Sequence, residues 1–129
     1  MLKRLGVLLA VAWLAAAGAA EAQQATIKRT VLQKTDVPGS NYEVVLGMAE
    51  LPAASQIGKH THPGSEQGTL VEGELTIMVE GQPDAVYKPG QSWMIPAATP
   101  HDAKAGSAGA KVIAVYTVEK GKPLASPAN

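Results

Sequence analysis

The chain contains no cysteine. That removes disulfide staples, thiolate metal ligands, a thiol nucleophile and the acylated cysteine of a bacterial lipoprotein. It has no phenylalanine, and beyond residue 22 its only Tyr and Trp are Tyr42, Tyr87, Trp93 and Tyr116. A core must then be built from Val, Ile, Leu, Met and Ala, and an aromatic stacking pocket is not expected. Neither sign of charge is in excess, with 11 Lys and Arg against 11 Asp and Glu and no basic cluster. That balance excludes the electrostatic footprint of a nucleic-acid partner or an anionic membrane surface. Helical periodicity of useful length is absent after the first residues, and no phosphate loop or dinucleotide fingerprint occurs.

The N-terminus carries Lys3-Arg4, then an apolar run from Leu5 to Ala17, then Ala20-Glu21-Ala22. A membrane span wants about 20 apolar residues. The shorter run, its basic start and its A-x-A end predict a signal peptide over 1–22, cleaved before Gln23. The expected product is periplasmic or secreted, has no stable membrane insertion after cleavage, and forms a single domain over 23–129. Cleavage takes Lys3, Arg4 and Glu21 from the two sets of 11, leaving nine basic and ten acidic residues.

Short β-type runs separated by Gly and Pro fill that domain. Ala25 to Lys34 reads as an edge strand, Asp36 to Asn41 as a turn, and Tyr42 to Leu51 as a strand. Leu75, Ile77 and Val79 alternate cleanly with polar residues, as a strand with one buried face does. Ala85-Val86-Tyr87 and Ser92 to Ile95 are further short strands. Gly106 to Gly109 reads as a loop before a last strand, Val112 to Val118, and the tail from Gly121 as loosely structured. The spacing of strands and turns predicts an all-β sandwich or barrel.

Histidine is scarce, so its placement is informative. All three copies, His60, His62 and His101, lie in two short stretches, Gly58 to Glu66 and Pro96 to His101. Three imidazoles and the carboxylate of Glu66 are the inventory of a metal site. His60 and His62 are two apart and share a face in extended chain. A reversal at Pro63-Gly64 is expected to bring Glu66 alongside them on the neighbouring strand. Trp93 shares parity with Ile95 and either walls the pocket or packs in the core. Lys59 is a candidate for drawing an anionic substrate to the mouth, against the plainer reading of a solvated lysine. Asp102 is a candidate partner of His101, against a surface role favoured by strand alternation. Gln67 and Met78 are candidate pocket liners, and Ser65 lacks the strand-turn-helix elbow of a nucleophile.

These stretches resemble the two motifs of the cupin family. His60-Thr61-His62, Glu66 and Gly73 match the first, including six residues between Glu66 and Gly73, while Gly58 lies closer to His60 than the pattern asks. Gly90, Pro96 and His101 match the second, with Ala98 in place of its inner Gly and Ala105 in place of its Asn. The resemblance spans Tyr42 to Val118. It implies a single jelly-roll β-barrel with His60, His62, Glu66 and His101 as ligands of a divalent metal ion. The donor set suits Fe, Mn, Ni, Co, Cu or Zn without choosing among them. Two functions follow. One is a metal-dependent enzyme on a small molecule, of dioxygenase, isomerase or lyase type, with Glu66 also serving as a base. The other is a non-catalytic module that holds a small ligand or the metal. A homodimer paired through the edge strand Ala25 to Val31 accords with either.

Overall fold

The computed structural model describes residues 26–129, so the expected signal peptide and its cleavage point lie outside the described residues. Among these residues eight strands occur in order: β1 (Lys28–Asp36), β2 (Tyr42–Leu51), β3 (His60–Thr61), β4 (Ser65–Val79), β5 (Ala85–Tyr87), β6 (Ser92–Ile95), β7 (His101–Glu119) and β8 (Ser126–Pro127). Among the described residues there is no helix. Among the described residues all strand pairings are antiparallel and β1 pairs only with β2, which makes it an edge, as expected for this stretch.

The long strand β7 is the spine. One of its margins runs along β4 from Ser65↔Thr117 to Val79↔His101. Its other margin takes β2 over the C-terminal half and β3 at the N-terminal end, through His60↔His101. The far margin of β4 takes β6 and β5. The sheet curls into a half-barrel of jelly-roll type, with a buried inner face.

Two expectations are corrected by the strand pairings. Gly106 to Gly109 is not a loop between strands but a bulge inside one strand. Gly73 faces Ala110 and Leu75 faces Ala105, so two steps on β4 match five on β7. Surplus residues of this kind bend a strand and raise its twist. Glycine is required at the bend, because a Cβ on Gly73 (φ 82°) would lie 2.0 Å from the Gly109 carbonyl oxygen. The tail is not loose either. It returns as β8, where Ser126 and Pro127 pair with Thr61 and His60.

The inner face buries Leu70, Leu75, Ile77, Trp93 and Ile95, each on the order of 1.5–3 kcal/mol of transfer free energy for a large side chain. The inward positions of β7 are mostly small: Ala103, Ala105, Ala110 and Ala114 are buried. Small residues on the spine leave the curled sheet hollow. A cavity of about 550 Å³ lies on the concave side of β1 and β2 under the returning tail.

Candidate metal centre

His60 lies in β3, His62 just beyond it, Glu66 at the start of β4 and His101 at the start of β7. One nitrogen or oxygen from each lies within 4.8 Å of all the others. Glu66, His62 and His101 are buried and His60 is half-buried. The shared face of His60 and His62 is observed, with ring centroids 4.8 Å apart; His101 lies 4.2 Å from His60 and 5.1 Å from His62.

Glu66 does not arrive as a simple reversal predicts, because β3 ladders with β7 and β8 and not with β4. One cross-strand row runs Val45, Tyr116, Glu66, Ile95, and another runs His60, His101, Val79. The two rows sit near opposite ends of β7. The bend at the Gly106–Gly109 bulge brings them face to face.

Each ring is oriented by the backbone. Nδ1 of His60 donates to the Gly58 carbonyl at 2.8 Å, that of His62 to the Leu124 carbonyl at 2.7 Å, and that of His101 to the Thr99 carbonyl at 2.9 Å. A carbonyl oxygen only accepts, so each Nδ1 carries the proton and each neutral ring keeps its Nε2 lone pair free. Such hydrogen bonds set tautomer and aim in metal-binding histidines. The Nε2 atoms of His62 and His101 approach Glu66 Oε2 at 2.9 and 3.3 Å. Both are buried, and neither finds hydrogen-bond geometry there. Close approach without a hydrogen bond is the arrangement of lone pairs converging on one point.

The other carboxylate oxygen is taken by Trp93, whose Nε1–H donates to Oε1 at 2.9 Å. Trp93 therefore packs in the core and orients the site at once. Gly68 makes room for it: a Cβ there would lie 2.2 Å from the indole. Burial opposes ionisation of Glu66, but in the metal-free protein donation from the facing His101 and His62 rings when they take up a proton at Nε2, together with the Trp93 N–H, outweighs burial and holds the carboxyl well below the usual carboxylate range. Burial lowers the pKa of His60, whereas for His101 the effect of burial is overcome by Glu66 and the Thr99 carbonyl and the pKa is raised. Three neutral imidazoles and one carboxylate carry a single negative charge. Nitrogen and oxygen donors with that charge fit a divalent cation.

Asp102 points away from His101, as alternation demands, but it is not a surface residue. The segment Gln56–Gly58 covers it, and its oxygens accept from Gln56 Nε2 at 2.6 Å, the Gly58 amide at 2.8 Å and the Ala103 amide at 2.7 Å. It thereby fixes Gly58, the residue whose carbonyl holds His60. Lys59 lines the mouth but is engaged by Glu80 at 2.7 Å and by the Asn129 carbonyl at 2.7 Å. Gln67 is exposed and lines a separate, open depression of about 580 Å³ with Ser92, Met94 and Ile113, which His60, His62, Glu66 and His101 do not line, and Met78 lines neither the cavity under the tail nor the inner one. Ala98, which stands where the second motif has Gly, adopts φ 57°, the left-handed conformation that explains a glycine at that position. Its amide donates to the His62 carbonyl at 2.8 Å.

Two contributors escape a motif search. Tyr116 packs on His62 at 4.8 Å between centroids, and burial, with the charge of Glu66, raises its pKa. Its parity with Val112, Ala114 and Val118 was the available signal. Leu124 contributes through its backbone, for which side-chain pattern offers none. The large cavity reaches His60 and His62, and an inner one of about 50 Å³ reaches Glu66 and His101.

A family model described as the cupin domain matches residues 47–116. Among solved structures, the chain is similar to a cupin superfamily protein from Desulfitobacterium hafniense DCB-2, with a TM-score of 0.63, 20% identity and coverage of 91% of this chain and 100% of that one. It is similar to the DMSP lyase DddQ from Ruegeria pomeroyi DSS-3, with a TM-score of 0.61 and 19% identity over 68% of this chain and 44% of that one. It is also similar to an oxalate oxidase in complex with glycolate, with a TM-score of 0.58 and 19% identity over 65% of this chain and 45% of that one. The chain thus spans less than half the length of the lyase and of the oxidase, and at these identities the likeness is one of fold. No curated protein matches it in sequence.

Proposed function

The chain belongs to the cupin domain family as a small single-domain member, and from that premise we propose that it is an exported, metal-dependent cupin acting on a small molecule. The observation that carries this reading is that each of the three rings is pinned at Nδ1 by a carbonyl, with Nε2 of His62 and His101 close to Oε2 of Glu66 and a ligand atom of His60 within 4.8 Å of the other three. In this reading His60, His62, Glu66 and His101 hold one divalent ion of Fe, Mn, Ni, Co, Cu or Zn. A bound ion would supply Lewis-acid activation of a substrate oxygen at the positions that four protein ligands leave open. The chain's own residues orient the substrate and move its proton. Apolar walls exclude water, and Glu66 is the proton acceptor, since it stays ionised and meets the inner cavity. The reaction is of lyase, isomerase or dioxygenase type.

Export rests on Lys3-Arg4, the apolar run and the Ala20-Glu21-Ala22 site. The recovered protein is expected to begin at Gln23. Pairing of two copies through β1, whose Val31 and Leu32 are exposed, belongs to the same proposal.

Elemental analysis of protein recovered from its native compartment is the primary test, with one divalent ion per chain expected. His101→Ala should lose most of that metal and keep its β-sheet spectrum. Undiminished metal in this variant refutes the ligand assignment. A second reading, a non-catalytic binding module, is favoured by the cavity under the tail, whose lining brings no carboxylate among the described residues. Oxygen uptake or turnover with phenols and diketones supports the enzyme; tight binding without turnover supports the module.

A further inference from the structure

Arg29 sits on the edge strand β1 opposite Ala49, and Ala49 sits opposite Val112 on β7. Directly opposed residues in neighbouring strands point to the same face of the sheet. Val112 is buried in the core and Ala49 packs against it, so Arg29 belongs to the concave face, although its place at the edge leaves it exposed. The walls of the large cavity agree, since Arg29 lines it together with Val45, Tyr116, His60 and His62.

Arg29 is also uncommitted. Among the described residues it forms no ion pair, while its neighbour Lys28 holds Glu50 at 3.2 Å. Lys59, the other cation on the cavity, holds Glu80. Among the described residues no Asp or Glu lines the cavity to neutralise Arg29.

We propose that Arg29 is an anion subsite at the rim of the large cavity, and that the ligand taken there is a small carboxylate with an apolar body. A guanidinium presents paired N–H donors that match a carboxylate edge to edge. The wall between Arg29 and the histidines is apolar, formed by Val45, Val112, Ala114 and Leu124. It suits a hydrocarbon body whose far end reaches His60 and His62. One cation, without a helix N-terminus or a cradle of backbone amides, suits a monoanion better than a phosphate dianion. The inference rests on the cavity being the ligand site of the proposed metal centre, and it is tested separately from that centre.

The experiment is calorimetric titration of the whole protein with hexanoate, hexanamide and inorganic phosphate, with metal content measured in the same samples. Hexanoate and hexanamide share length and hydrocarbon and differ in charge. Hexanoate should bind about tenfold tighter or more, a difference of about 1.4 kcal/mol or more. Arg29→Gln should erase that preference with metal content and spectrum unchanged, and Arg29→Lys should keep part of it. Absence of hexanoate binding, equal binding of the two, a preference that survives Arg29→Gln, or phosphate binding as well as hexanoate would each overturn the subsite. An Arg29-dependent preference in samples without metal would uphold the subsite while the metal reading fails.

Discussion

Replacing Trp93 with phenylalanine asks whether the indole holds Glu66 in place. The indole N–H meets Oε1 at 2.9 Å inside the core. Removing it leaves a buried charged acceptor without its donor, worth about 1.5–3 kcal/mol for a hydrogen bond to an ionised group. At about 1.4 kcal/mol per factor of ten, the loss corresponds to metal binding weakened about 10- to 100-fold. The same range follows independently from removing outer partners of metal ligands, about 10- to 100-fold in affinity. Phenylalanine is also smaller, so the lost packing must be separated from the lost hydrogen bond. Gly68→Ala does this, since its Cβ would lie 2.2 Å from the indole and must displace it without deleting it. Each variant alone should weaken binding in competition with a chromogenic chelator. In the double variant Gly68→Ala should add little, because no indole remains to be displaced, and the coupling should reach about 0.5–3 kcal/mol. Affinities within about twofold of the parent in both single variants, or full additivity in the double, would refute the reasoning.

Truncation after Pro123 removes the carbonyl that holds His62 and the strand that covers β3. Metal affinity should fall about tenfold in the same competition assay, and unchanged affinity would remove the tail from the site. In the metal-free protein, the folded pKa of Glu66 lies below its ordinary value of 4.5. Its contribution to stability is therefore full above that pH and fades as pH falls toward the folded value. Glu66→Gln should flatten the acid limb of denaturation below pH 4.5, and an unaltered limb would contradict the assignment. Histidine ligates only when neutral, and Glu66 favours protonation of His101. Occupancy should thus decline as pH drops through about 6.5, whereas flat occupancy to pH 4 would contradict the site.

What could be read from residue order was local. Alternation placed β2, β5 and β6 and the buried face of Leu75, Ile77 and Val79, because a strand's period of two is written by near neighbours. The two-residue spacing of His60 and His62 put both rings on one side for the same reason. Where Gly106 to Gly109 was read as a loop the expectation failed. Gly73 and Gly109 do not end strands but allow two backbones to cross closely at a bulge. Asp102 was misplaced because alternation reports which face a side chain takes, not whether another segment covers that face.

The identity and spacing of the four candidate ligands, together with the strand-rich architecture, were thus present in the linear chain. Their convergence was not, for it depends on β7 being one bent strand whose ends carry separate cross-strand rows. The indole on Glu66, the Leu124 carbonyl on His62 and the charge of Arg29 over the cavity depend on it too. Each joins residues at least 27 positions apart, or strands brought together by the curl of the sheet. Pairings of that range are settled by which faces bury one another, and no run of neighbouring residues encodes them.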